Sequence, residues 1–339
     1  MLHRIVENVL LVGAHLHRAQ PPARAPAPAA LRPLIEALEP ERSRHDALAI
    51  HFGRRYRSGF WSIYLLSAVA VLFAVLPLAL GWDDSRHTLH PYLGIWALGE
   101  VVIISTVAVT YWLGHRRDWQ GQWLSARTTA ELIGYLPMLA PLVDFARPDE
   151  DPDWYLRVFD PGQHLRGNRE VTELCRRHET GMRSELAQAW EDPGFVAGYA
   201  AWTASGLEGQ AHYHRGVARR QHALRHRAHA LSVWLFGLTA LGALMHLVLH
   251  TLYLSIVTTF FPALGASIHG AIAQSESYRL EASSSRLEKD LERAVARLED
   301  ATARGAVPVR EAVREALSLI LQEHQDWHML VRPHALPLA

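Results

Sequence analysis

Cysteine occurs once in the 339 residues, as Cys175, so no disulfide can form within the chain and no cysteine-based metal knuckle exists. Lysine is as scarce: of 34 Lys+Arg only Lys289 is lysine. That excludes a phosphate-binding loop of the G-x-x-x-x-G-K-[ST] kind and a Schiff-base lysine in a pocket. A charge excess is missing too, 34 Lys+Arg facing 34 Asp+Glu, so nothing points to a nucleic-acid partner. Charge is scarcest inside four apolar stretches, 60–81, 92–113, 231–249 and 252–273, where Glu100 is the one charged side chain. Stretches of about 20 apolar residues cross a hydrocarbon core of about 30 Å. The chain therefore reads as an all-α polytopic membrane protein, with four transmembrane helices in two hairpins plus cytoplasmic helical segments. A soluble enzyme does not fit.

The arginines orient it. Arg54, Arg55 and Arg57 enter the first span and Arg116 and Arg117 leave the second, while the loop between carries Asp83, Asp84 and Arg86. Arg219, Arg220, Arg225 and Arg227 precede the third span. The positive-inside bias then places both termini and the insert 114–230 on the cytoplasmic side of a bacterial inner membrane. Five parts follow: an N-terminal segment and Pro-rich linker, 1–33; a first two-span unit with flanking helices, 34–145; an insert, 146–205; a second two-span unit with a coiled-coil-like helix, 206–304; and an amphipathic tail, 305–339. The two hairpin units look like tandem copies. Five prolines between Gln20 and Pro33 predict a linker without helix. The apolar piece Val9 to Val12, with Glu7 nearby, is not expected to be a cleaved signal peptide. Trp119 to Met138 reads as a helix ended by Pro137 and Pro141, Asp144 to Gly162 as a Pro/Asp-rich loop, and Asn168 to Trp190 as a charged helix. A long helix starts after Pro193 or Gly206 and continues into span three. Leu287, Leu291, Ala294, Leu298 and Ala301 form a packing seam.

Glu100 lies near the middle of span two, where an ionised carboxylate costs about 2.5–3.5 kcal/mol. It shares a helix face with Trp96, Ile103, Ile104, Val107 and Tyr111. Either it lines a polar path or, as a neutral acid, it bonds a neighbouring span. Span four carries a kink at Pro262 and a small-residue stripe of Pro262, Gly265, Ala266, His269 and Ala273. Gly237, Ala240 and Thr239-x-x-x-Ala243 of span three offer a matching surface. This face either packs within the chain or lies on an oligomer axis with Ser267 or His269 near a path. His222, His226 and His229 recur on one helix face, with His212 and His214 earlier; that spacing can hold a metal, but the interleaved arginines oppose a cation, and no metal or cofactor is expected. The segments 265–270 and 178–182 fail the nucleophile-elbow and zincin patterns.

Four groups of positions carry a resemblance. Arg54-Arg55-Tyr56-Arg57 enters span one, and Trp119-x-x-x-Trp123-x-x-x-Arg127-x-x-x-Glu131 follows span two. Gln210-Ala-His-Tyr213-His214 precedes span three, and Phe261-Pro262-Ala263-Leu264-Gly265 lies within span four. Residues 45–300 resemble two tandem SLATT membrane-effector domains of bacterial nucleotide-sensing conflict systems. The resemblance implies an anti-phage effector that oligomerises and forms or gates a pore. It also implies a cytoplasmic docking face of Trp119, Trp123, Arg127, Glu131, Gln210, Tyr213 and His214. No segment before residue 50 is long enough for a sensor domain, so a separate nucleotide-sensing protein or the insert is expected to supply the signal. The alternatives are a membrane scaffold for a cytosolic partner and, third, a histidine-ligated di-iron oxidoreductase.

Overall fold

The computed structural model describes residues 2–11, 20, 22–143, 168–186 and 188–331, with side chains as far as Glu323. Among the described residues the regular structure is helical, without a strand: α1 Leu2–Leu10, α2 Arg32–Ala79, α3 Leu93–Arg116, α4 Trp119–Leu139, α5 Arg169–Leu186, α6 Pro193–Leu249, α7 Leu254–Gln274, α8 Ser277–Thr302 and α9 Ala306–Val331. Four stretches are long and apolar enough to cross a membrane; they lie in α2, α3, α6 and the run that α7 opens. The chain is an all-α polytopic membrane protein.

Two long helices set the plan. α2 has 48 residues and α6 has 57, each joining a polar half to an apolar half without a break. After each comes a shorter apolar helix, α3 or α7, and then a polar helix that folds back along the long one: α4 along α2, α8 along α6. Both reversals use an acidic residue in the left-handed region, Asp118 at φ 40° and Glu276 at φ 51°. Asp118 then caps α4, its Oδ1 accepting from the Gly121 N–H at 3.1 Å. A Cβ on Gly121 would fall 2.1 Å from the capping carboxylate, so the cap requires glycine there.

Proline placement departs from the expected linker and helix ends. α2 already starts at Arg32, because a proline in the first turn, here Pro33, lacks only an N–H that would have had no partner. α4 runs past Pro137 to Leu139. Pro77, in the apolar half of α2, frees the Phe73 carbonyl four residues back. The Trp96 indole N–H of α3 donates to that oxygen at 2.6 Å, and the indole stacks on the Phe73 ring with centroids 4.3 Å apart. The defect in one span becomes the clasp that holds the next.

The four apolar helices form an open row. α3 packs on α2, α2 on α7, and α7 on α6; α3 and α6 share no comparable interface. The outer residues of α3 (Ile95, Leu98, Val102, Val109) and of α6 (Trp234, Phe236, Leu244, Val248) are exposed, Val248 by 78%.

Two apolar clusters lie along the long helices. One joins α1, α2, α4, α6 and α7 where the apolar halves begin, around Phe60, Trp61, Ile63, Leu224 and Ala271. The other joins the polar halves of α2 and α6 with α4, α5, α8 and α9, around Leu132, Ile133, Tyr199, Leu207, Leu291 and Leu298. The seam Leu287, Leu291, Ala294, Leu298 and Ala301 is buried here, as its spacing predicts. The loop expected at 144–162 lies outside the described residues.

Candidate functional site

Between the two clusters the sequence places charge. Two adjoining cavities, of about 500 and 360 Å³, share a wall of Arg57, Trp123, Arg127, Tyr213 and His214. The larger is bounded on one side by α1 and on another by the turn from α7 to α8. Trp123 reaches α2 because residue 53 is glycine, where a Cβ would lie 2.8 Å from the indole nitrogen. Its ring stacks on Tyr56 at 5.6 Å, and the Arg57 guanidinium lies 5.5 Å from its centroid. The Tyr56 hydroxyl accepts from Gln274 at 3.2 Å, which ties α2 to the end of α7.

Arg127 and Glu131, one turn apart on α4, bond at 2.7 Å, and Tyr213 of α6 hydrogen-bonds the same guanidinium. Burial disfavours the Arg127 charge, but the Glu131 carboxylate and Tyr213 outweigh it and raise its pKa. Arg57 is different. Burial, with Arg127 and Arg4 nearby, lowers its pKa, and Glu7 only partly opposes this. His214 is pushed down to about 4, by burial first and by Arg127 second, and is neutral near pH 7. His3 of α1 is likewise pushed down to about 4, by burial and then by Arg57. It meets the Ser58 hydroxyl at 3.0 Å. Glu7 of α1 bonds Arg220 of α6 at 2.7 Å, so α1 straps α2 to α6 across the cavity.

Of the docking residues expected from sequence, Trp123, Arg127, Glu131, Gln210, Tyr213 and His214 come together on these cavities. Trp119 does not. It packs on the apolar cluster at the start of α4, its indole N–H buried without a partner among the described residues. Glu100 is half-buried on the side of α3 that faces α2, with Trp96, Ile103 and Val107; Ile104 is exposed, off that face. Among the described residues Glu100 has no hydrogen-bond or ion-pair partner.

The span-four stripe divides in two. Gly265 and Ser267 are buried, with the Ser232 hydroxyl donating to the Gly265 carbonyl at 3.5 Å, while Ala266, His269 and Ala273 are exposed and Pro262 is half-buried. The α6 surface that meets α7 is Leu235 and Gly242, a Cβ on the latter lying 2.9 Å from Val257. Gly237 and Ala240 point away, because the α6–α7 contact follows the residues in register with Leu235. His222 bonds Glu281 at 2.8 Å, and Arg225 shares that carboxylate at 3.1 Å. Among the described residues no three His, Cys, Asp or Glu converge as metal ligands. Cys175 is buried and its thiol is pushed up to about 12, far from thiolate chemistry.

The chain matches no family model, no curated protein and no solved structure. Sequence reasoning did not single out His3 or Gln221, and noted Glu7 and Arg220 only as a charge beside an apolar piece and a member of a basic cluster. Only α1 was separately detectable, through its apolar face of Leu2, Val6 and Val9 against Arg4 and Glu7. Arg57 was visible only as one member of a basic cluster.

Proposed function

We propose that this protein is a membrane effector that associates with further copies of itself and forms or gates a passage through the bilayer, under control of its polar helical body. The open row of apolar helices supports this reading, because it leaves the outer faces of α3 and α6 uncovered by the chain's described residues. Lipid can cover an apolar edge without penalty, so exposure alone does not call for a protein partner. Two details favour one. Gly237 and Ala240 form a small-residue patch on the open side of α6, with nothing within 4 Å of a Cβ at Gly237, which suits close helix approach. Glu100 is an ionisable group in a span, without a partner among the described residues, and such groups mark polar paths or interhelical bonds. The arginine bias favours a cytoplasmic body in a bacterial inner membrane. A role in a conflict system, and a separate sensor protein, rest on the resemblance alone.

The test is solute leakage from liposomes at rising protein-to-lipid ratio, together with cross-linking. Steep dependence on the ratio, reduced along with cross-linked oligomer by Gly237→Leu and altered by Glu100→Gln, is the expected result. Oligomer and leakage indifferent to both substitutions would sink the edge-association reading. A scaffold for a cytosolic partner is the second reading, favoured by the cavity wall; under it Glu100→Gln is silent and Trp123→Ala abolishes activity.

A further inference from the structure

The larger cavity contains an arginine with unused donors. Arg57 is half-buried in α2, and among the described residues its Nε–H alone has an acceptor, the Gly53 carbonyl at 3.1 Å. Among the described residues no carboxylate approaches its two terminal nitrogens within ion-pair distance. Of the acids on this cavity wall and beside it, Glu131 bonds Arg127, Glu7 bonds Arg220 and Glu276 meets Arg279 at 3.5 Å; Glu323 also lines the cavity, outside ion-pair distance of Arg57. The Trp123 ring face offsets part of the burial cost but accepts no N–H bond in the plane of the guanidinium. A second polar group in the same cavity is also unsatisfied: the Gln221 carboxamide oxygen is buried without a partner among the described residues. A half-turn of this carboxamide about its Cγ–Cδ bond would present its NH₂ as a donor at the same place.

A planar cation with two free NH₂ groups, lining about 500 Å³ of polar space, matches the geometry of a tetrahedral oxyanion, which a guanidinium binds in bidentate fashion. We propose that this cavity binds a phosphate group, with Arg57 as its anchor and Gln221 as a further donor, and that α1 is the strap that closes over it. Glu7 is then an internal competitor: its carboxylate occupies Arg220 and lowers the positive potential around Arg57. The phosphate can belong to a lipid headgroup reaching in beside Phe60, where the apolar half of α2 begins, or to a solute from the aqueous side. The chemistry at Arg57 is the same for both.

The test uses the full chain in nanodiscs. Thermal stability is read against inorganic phosphate in phosphatidylcholine discs, and in discs with and without phosphatidylglycerol at constant salt. Stabilisation by phosphate assigns the site to a solute; stabilisation by phosphatidylglycerol alone assigns it to a headgroup. In either case Arg57→Gln weakens the response at least about tenfold, Arg57→Lys restores part of it, and Arg54→Gln, on an exposed part of α2, leaves it intact. Glu7→Gln strengthens binding severalfold, a gain that a purely structural Glu7 would not give. If Arg57→Gln fails to fold, Glu7→Gln still decides, and unchanged or weaker binding in it overturns the proposal. No response to either probe, or a response that Arg57→Gln leaves unaltered, overturns it as well. Liposome leakage is not part of this readout, so its failure leaves the pore reading standing.

Discussion

The clasp between Trp96 and the carbonyl freed by Pro77 makes a sharp energetic prediction. In the native chain Trp96→Phe keeps a ring to stack on Phe73 but removes the 2.6 Å bond, leaving the Phe73 oxygen without a donor in apolar surroundings. A buried acceptor left unsatisfied costs about 1–3 kcal/mol, whereas side-chain bonds between spans average about 0.6 and reach about 1.7 kcal/mol. The protonless proline puts this case in the upper part of the second range. Pro77→Ala restores an amide N–H at position 77, which closes the ordinary helix bond to the same oxygen. In that background Trp96→Phe loses packing only. A double-mutant cycle, read by unfolding in mixed micelles with rising detergent denaturant, should therefore give a coupling of about 1 kcal/mol, with the tryptophan worth more beside the proline. Equal cost in both backgrounds, within about 0.3 kcal/mol, would refute the clasp.

Other consequences are as direct. His3 and His214 are held neutral, with folded values near 4 against an ordinary 6.5. The unfolded chain takes up protons first, so stability is lost as pH falls below about 6.5 and levels off near 4. Each group should cost about 2 kcal/mol by about pH 5. Melting temperature against pH should show that slope, and His214→Gln should flatten it; an unaltered slope would remove His214 from the account. Gly270→Ala puts a Cβ 2.5 Å from the Tyr64 ring between α7 and α2 and should destabilise by about 1–3 kcal/mol, while Gly237→Ala, in open space, should leave the unfolding of the single chain unchanged. Similar losses at both would contradict the placement of α7.

Much of the architecture is legible in the chain because the bilayer imposes a length rule that few other sequences satisfy. The four spans and the buried seam from Leu287 to Ala301 follow from apolar length and period alone, while the start of the long helix, open in sequence between Pro193 and Gly206, lies at Pro193. The convergence of Trp123, Arg127, Glu131, Tyr213 and His214 was approachable because three lie one turn apart on one helix and two are adjacent on another. What stays hidden depends on contacts between distant segments. Nothing local marks His3 as the neighbour of Ser58, 55 residues away, or Glu7 as the partner of Arg220. The outward turn of Ala266 and His269 is equally unreadable: a small-residue stripe shows that a close neighbour is possible, not on which side it stands. Pro33 and Pro137 misled for a simpler reason, since a proline's effect depends on whether its missing N–H had a partner to lose.

One consequence of the 57-residue helix α6 concerns transmission. At about 1.5 Å per residue it is a rod of roughly 85 Å, with its one proline at the first position. It has no proline hinge along its length to absorb a displacement, so a push on its polar end reaches the apolar end as a tilt of the whole shaft. A rotation of about 5° around its middle carries each tip through roughly 4 Å, comparable to the width of a side chain. Whatever docks near Tyr213 and His214, a quarter to a half of the way along that shaft, works on a lever whose long arm ends at the far face of the membrane.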